Sequence, residues 1–301
     1  MRKILLICSL FWAIISYAQG TRIMYEYKFV SNLDKEDSAD TELMYLDIRK
    51  DGSKFYSRQR FVSDSIRNEY IHKTLSSGSQ NFSFSQIVKS KIDYSVSKTY
   101  PDFEVHLHTR LGQNRFDVID TKPMEWKISP EKKMIDKFDT QKATLEFGGR
   151  TWTAWFTQDI PFIDGPYKFH GLPGLILEME DSTGTHIFKF AGIEKFDDVE
   201  KIEKNKPEIT GRGAMIFGNM PGREELKVTE DQFIKQWKEY KNNPVKDMRQ
   251  TLSSMPSDAR IKVNMNGKEM ADPAEILRNM EKHFKEEIKQ DNNKIEPALY
   301  P

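Results

Sequence analysis

The sequence predicts an α+β protein that is mainly β: a curved antiparallel meander sheet or half-barrel with a C-terminal helical extension. Three observations predict it. Apolar and polar residues alternate with period two from about residue 21 to about residue 193, as in half-buried strands. The alternating runs are separated by Asp-Gly, Gly-Gly and Asp-Ser-Thr-Gly turns, which are hairpin signals. Beyond about residue 228 the apolar spacing becomes helical. Short strands joined by close turns make an antiparallel sheet.

The first strand is Ile23 to Phe29, with Ile23, Tyr25, Tyr27 and Phe29 on one face. Leu43 to Arg49, the turn Asp51-Gly52 and Lys54 to Val62 form the next hairpin. Thr74 to Gln86, rich in serine and glycine, is expected to be a loop. Phe103 to His108 alternates, and Arg115 to Ile119 returns beside it. Ala143 to Phe147, Gly148-Gly149 and Arg150 to Phe156 make a third hairpin. Leu175 to Glu180, the turn 181–184 and Thr185 to Phe190 make a fourth. Residues 197 to 212 carry mixed charges and a proline and are expected to be a linker.

Helical signals follow. Thr229-Glu230-Asp231-Gln232 is a capping box, and Phe233, Ile234, Trp237 and Tyr240 then share one face until Asn242-Asn243-Pro244. A second helix starts with Asp272 as cap and Pro273 at its first position. Ile276, Leu277, Met280, Phe284 and Ile288 form its apolar face.

The N-terminus reads Met1-Arg2-Lys3, an apolar run Ile4 to Ile15, then Ser16-Tyr17-Ala18. A basic start, an apolar core and small residues before a cleavage point describe a secretory signal peptide, and the run is too short to span a membrane. The expected organisation is a leader at 1–18, a β domain at 19–196, and a linker with a helix-containing extension at 197–301. Cys8 is the one cysteine and lies in the leader, so the mature chain has no disulfide, thiolate metal site or cysteine nucleophile. Loss of Arg2 and Lys3 leaves 44 basic residues against 46 acidic ones, a net charge of about −2. A near-neutral, mixed surface excludes nucleic acid as the expected partner and a polybasic membrane anchor. The expected location is the periplasm or outer envelope of a gram-negative bacterium.

No H-E-x-x-H, phosphate-binding, nucleophile-elbow or dinucleotide motif is present, so a binding role is favoured over catalysis. His106 and His108 lie two apart and share a strand face, a spacing that suits zinc or copper. Their alternation with Phe103, Val105 and Leu107 marks instead a polar outer side, and no third ligand stands nearby. Glu178 and Glu180 likewise alternate with inward Leu177 and Met179. The methionines at 215, 220, 248, 255, 265, 270 and 280 are irregularly spaced and read as core filling rather than a copper(I) site. No metal or cofactor is expected.

The stretch between Phe156 and Leu175 carries Pro161, Gly165, Pro166, Gly171, Pro173 and Gly174. Proline restricts φ and glycine permits positive φ, so the loop is expected to hold one shape, with Leu172-Pro173-Gly174-Leu175 as a type II turn. It displays Phe162, Tyr167, Phe169, His170 and Leu172. Such a loop is a plug over the end of the sheet, a docking surface, or both. The candidate ligand- or partner-binding residues are Trp155, Phe162, Tyr167, Phe169, His170, Gly171, Leu172, Pro173 and Gly174. The expected partner is an apolar ligand or an envelope protein. The alternatives are an envelope hydrolase using His170 with Asp164 or Asp159, and a structural partner of an outer-membrane complex.

This chain resembles the GLPGLI family, named for the hexapeptide at 171–176. The resemblance rests on the leader, Phe55-Tyr56-Ser57, Gly149-Arg150, Ala154-Trp155-Phe156, Ile160-Pro161, Gly165-Pro166 and the hexapeptide itself. It covers roughly residues 20 to 195. It implies a secreted or envelope protein of the Bacteroidetes and no known activity or catalytic residue. A weaker likeness, at the level of fold, is to periplasmic lipoprotein carriers, whose curved sheet cups an apolar ligand.

Overall fold

The computed structural model describes residues 19–35, 39–76, 90–197, 224–254, 263–265 and 268–301. The expected leader, most of the 197–212 linker and most of the 74–86 loop lie outside these residues. Among the described residues the chain builds one twelve-stranded sheet, a two-stranded ribbon and four α-helices.

The strands run β1 (Gln19–Phe29), β2 (Asp40–Ile48), β3 (Gly52–Ser57), β4 (Ser95–Thr99), β5 (Val105–Leu111), β6 (Asn114–Asp120), β7 (Lys127–Ile135), β8 (Phe138–Phe147), β9 (Arg150–Thr157), β10 (Leu175–Asp181), β11 (His186–Asp197) and β12 (Leu226–Thr229). Their spatial order is β12-β6-β5-β4-β3-β2-β1-β11-β10-β9-β8-β7. Two meanders therefore lie side by side, joined where β1 pairs antiparallel with β11 from Gln19↔Asp197 to Phe29↔His186. All pairs are antiparallel except β12, which adds to β6 in parallel.

The connection 121–126 explains the curvature. It joins β6 to β7, ten strand spacings apart in the sheet order, which is about 48 Å in a flat sheet at ~4.8 Å per spacing. Seven residue steps reach about 25 Å at most. The sheet must curl until its two ends approach.

The concave face carries the core. Ile23, Tyr25, Tyr27 and Phe29 of β1 are all buried, as their alternation predicts. Cross-strand ring contacts order this face. Tyr27 stacks on Phe188 at 4.1 Å, and Phe55 stands edge-on to Tyr25 at 6.4 Å and to Phe188 at 5.9 Å. Each such fully buried ring stabilises the fold by about 1.5–3 kcal/mol relative to exposure.

Helix α1 (Arg58–Ser76) corrects the expected strand Lys54 to Val62. The strand stops at Ser57 because the Ser57 hydroxyl accepts the Arg60 N–H at 3.0 Å, a helix N-cap. Helix α2 (Glu230–Asn242) has the predicted capping box, formed by Thr229 and Gln232. It buries Phe233 and Trp237 in the main core, where Phe233 meets Phe116 at 5.5 Å and Trp237 meets Tyr300 at 5.1 Å. Helices α3 (Lys246–Ser253) and α4 (Pro273–Gln290) share a smaller core of Val245, Met248, Met270, Ile276 and Met280. Three of the scattered methionines thus act as filler. The ribbon is β13 (Val263–Met265) with β14 (Lys268–Met270).

After α4 the chain returns to the sheet. Arg150 donates to Asp181 at 2.8 Å, to Asn293 Oδ1 at 2.6 Å and to the carbonyls of Lys294 and Ile295 at 2.7 and 3.2 Å. The Ala298 N–H donates to the Gly148 carbonyl at 3.1 Å. Gly148 (φ +64) makes room for this strap, since a Cβ there would stand 2.6 Å from Glu296 Cγ.

His186 lies inside this clamp, 2 % exposed, with Nδ1 bonded to the Tyr27 hydroxyl at 2.7 Å. Burial first, and the Arg150 charge second, push its pKa down to about 3. In the unfolded chain the ring protonates near pH 6.5. The unfolded state therefore takes up the proton first as pH falls. The stability contributed by neutral His186 is full above pH 6.5 and is lost as pH falls from there toward 3. Urea unfolding at pH 7, 5.5 and 4.5 should show a loss approaching ~1.4 kcal/mol per pH unit from this one group, and His186→Gln should reduce that slope.

Candidate functional site

The loop 158–174 joins β9 to β10 and lies on the concave side, under the 121–126 connection. Its centre is built on two buried lysines. On β4, Val96 and Lys98 are both inward-facing, and Lys98 is fully buried. Its Nζ donates to the carbonyls of Gly165 (2.9 Å), Tyr167 (3.0 Å) and Phe169 (3.3 Å) and pairs with Asp164 Oδ1 at 2.5 Å. Alternate carbonyls converge on one ammonium because Tyr167 adopts φ +53, a left-handed backbone that a bulky residue occupies only under constraint. Asp164 also accepts from the Tyr100 hydroxyl and from the Gly165 N–H at 2.7 Å. Burial pushes the Lys98 amine below the ordinary lysine value, with Asp164 pulling the other way.

Lys168, also fully buried, points the opposite way. Its Nζ lies 2.7 Å from Glu296 Oε1, 2.9 Å from Asp120 Oδ2 and 3.8 Å from Glu230 Oε1. The Tyr167 hydroxyl donates to the same Glu296 oxygen. Burial lowers the Lys168 pKa, but Glu296 and Asp120 outweigh it and hold the amine above the ordinary value. These contacts tie the loop to the end of β6, the start of α2 and the C-terminal strap.

The candidate residues divide by position. Tyr167, Phe169 and Leu172 are buried within the core, where Phe169 packs on Trp152 at 4.9 Å and on Phe147 at 5.5 Å. The loop thus fills the hollow of the sheet. Gly174 (φ +144) is buried against Thr157, whose carbonyl oxygen lies 1.9 Å from where a Cβ would be. Phe162 and His170 are half-buried, and Gly171 and Pro173 are exposed. Trp155 lies half-buried on the opposite, convex face, under the Lys133 ammonium at 4.5 Å. The turn at Pro173 is tighter than the expected type II. The Gly174 N–H donates to the Leu172 carbonyl at 2.7 Å, a three-residue turn centred on a proline whose fixed φ suits it. The Leu175 N–H goes instead to the Ile160 carbonyl at 3.2 Å.

Four features escaped the sequence reading. Ile163, 50 % exposed, is the most protruding apolar side chain of the loop. Trp126 donates its indole N–H to the His170 carbonyl at 2.8 Å. Phe103 stacks on the His170 ring at 4.6 Å and 6°. The two lysine knots are the fourth; a lysine in phase with buried Val96 was their one sequence signal.

The accessible rim therefore comprises Pro161, Phe162, Ile163, His170, Gly171 and Pro173, with Trp126 and Phe103 alongside. His170 Nδ1 is bonded to the Lys168 carbonyl at 2.8 Å, and burial pushes its pKa down, keeping the ring neutral at pH 7. The Asp164 carboxylate is taken by Lys98, Tyr100 and its neighbouring N–H, and Asp159 is exposed. Among the described residues, the His170 ring makes no hydrogen bond to Asp164 or Asp159. On the convex face, His106 bonds Asp117 and Glu104, and His108 bonds Glu225 and Ser97, so each ring nitrogen has a protein partner.

Comparison with known proteins gives two results. A family model described as a protein of unknown function (Porph_ging) matches residues 147–178, the third hairpin's turn through the loop into β10. Two solved structures are similar in part. One, described as the structure of PNGF-II in the P21 space group, is 13 % identical with a TM-score of 0.45 and covers 72 % of this chain and 33 % of its own. The other, PNGF-II in the C2 space group, is 17 % identical with a TM-score of 0.39 and covers 60 % and 28 %. The chain spans about a third or less of their length. The likeness to lipoprotein carriers is not confirmed by these matches, and no curated protein matches the chain.

Proposed function

We propose that this chain is an exported, non-catalytic binding or assembly module of the cell envelope, and that it engages a protein partner through the exposed rim of the 158–174 loop. The observation that carries the reading is the contrast within one loop. Its interior is anchored by two fully buried lysines, while its rim leaves Pro161, Ile163, Gly171 and Pro173 exposed beside half-buried rings. A pre-shaped apolar surface loses little entropy on binding, and aromatic residues suit the centre of an interface. Because Tyr167, Phe169 and Leu172 occupy the hollow of the sheet themselves, a protein surface fits this rim better than a small apolar ligand held inside. The match to a family of unknown function over 147–178 is compatible with such a module. No helix among the described residues is long and apolar enough to cross a membrane.

The test places a photo-cross-linking side chain at Ile163, and for comparison at exposed Ser182, in the protein expressed in its native host. A discrete adduct from position 163 in the envelope fraction, absent from 182 and reduced by Phe162→Ser, is expected. Equal labelling from both positions, or none from 163, would sink the proposal.

A further inference from the structure

Lys98 and Lys168 are both sealed from solvent, but their surroundings differ in kind. Lys98 faces three carbonyls and one carboxylate. Lys168 faces carboxyl groups alone: Asp120, Glu296 and, farther off, Glu230. We propose that Lys168 and Asp120 condense to an intramolecular isopeptide bond, formed without a cofactor and assisted by Glu296 and Glu230.

The geometry supplies each part that amide formation needs. The nucleophile, Lys168 Nζ, stands 2.9 Å from Asp120 Oδ2. That hydrogen bond holds Nζ beside the carboxyl group, and rotation of the carboxyl plane would present Cγ to it; pre-positioning two reacting groups in this way is what raises effective molarity in intramolecular reactions. The other oxygen, Asp120 Oδ1, accepts the Lys122 backbone N–H at 3.0 Å. That donor polarises the carboxyl and stabilises the tetrahedral oxyanion. Glu296 Oε1, 2.7 Å from Nζ, is placed to take the ammonium proton. Glu230 Oε1 accepts no hydrogen bond, while its Oε2 pairs with Lys122; burial raises the Glu230 pKa and Lys122 pulls it the other way. One oxygen from each of Asp120, Glu230 and Glu296 lies within 4.8 Å of the others, and Lys168 Nζ sits among all three.

The step balances. Nζ starts with three protons and ends with one. The two it loses are relayed by Glu296 and Glu230 to Asp120 Oδ2, which departs as water. The Nζ–Cγ bond forms, the Cγ–Oδ2 bond breaks, and both glutamates return to their starting protonation. A dry site favours condensation because it expels the water and trades a buried ion pair for a neutral amide. The rings of Phe147 and Tyr167, 5.7 and 5.8 Å from Nζ, complete the apolar enclosure. The bond would tie the candidate loop covalently to the end of β6.

Intact mass spectrometry of the purified full-length mature chain, with its N-terminus determined independently, is the test. The mass should fall short of the sequence value by one water molecule. Proteolysis should yield one branched peptide joining the segments that contain Lys168 and Asp120. Lys168→Arg and Glu296→Gln should each restore the full mass. Should those variants fail to fold, the branched peptide of the wild-type chain still decides. A full-mass wild-type protein with both peptides linear, or a water loss mapping to other residues, overturns the proposal, and neither outcome touches the partner-docking reading.

Discussion

Lys98→Ala should destabilise the protein by about 3–5 kcal/mol, the cost of leaving one member of a buried ion pair alone. The substitution removes the cation from the Asp164 carboxylate, leaving it the Tyr100 hydroxyl and the Gly165 N–H, and removes the one donor shared by the carbonyls of Gly165, Tyr167 and Phe169. Buried polar groups without partners are each expensive. Urea unfolding measures the loss, and limited proteolysis locates it, because the loop should become the first site cut. Replacing both partners, Lys98→Met with Asp164→Leu, should recover only part of the stability. An apolar pair can replace a buried ion pair at little cost, but the three carbonyls stay unpaired. A Lys98→Ala protein within 1 kcal/mol of wild type would show that the knot does not hold the loop.

Gly174→Ala should be the most damaging single-methyl change in the loop, on the order of 3–5 kcal/mol. An added Cβ would meet the Thr157 carbonyl oxygen at 1.9 Å and its carbon at 2.6 Å. Neither side can retreat, since Thr157 pairs with Leu175 in the sheet. Gly171→Ala is the control. It shares a positive φ (+92), but its Cβ would find only Trp126, 3.9 Å away, so backbone strain alone remains, about 1–3 kcal/mol. Thermal unfolding of the two variants separates steric exclusion from strain. If Gly171→Ala proves the worse of the two, the packing of the hexapeptide against β9 has been misread.

Much of the fold was legible because alternation is a direct image of a half-buried strand. Ile23, Tyr25, Tyr27 and Phe29 declared β1, and the Asp-Gly and Gly-Gly turns placed their hairpins. Strand β7 was not legible because it is an exposed edge. Lys127 to Ile135 is almost wholly solvated, so nothing forces its polar residues to one side. Helix α1 was missed because its start depends on one serine hydroxyl, and β12 because its parallel pairing with β6 is a purely tertiary event. The loop was recognisable from its prolines and glycines, but which of its rings face inward was not. That choice is made by Lys98, Asp120 and Glu296, whose distances along the chain conceal their meeting. A lysine flanked by Tyr167 and Phe169 reads locally as a surface residue between two aromatics.

The seam between β1 and β11 also dictates an order of folding. Gln19 meets Asp197 across it, so the first strand waits for nearly two hundred residues before its second neighbour exists. Closing so long a loop is slow. Each meander can zip locally beforehand, turn by turn. Registering the two ribbons side by side is then the late, committed event, and until it happens the apolar edge of β1 stands open to solvent and to wrong partners.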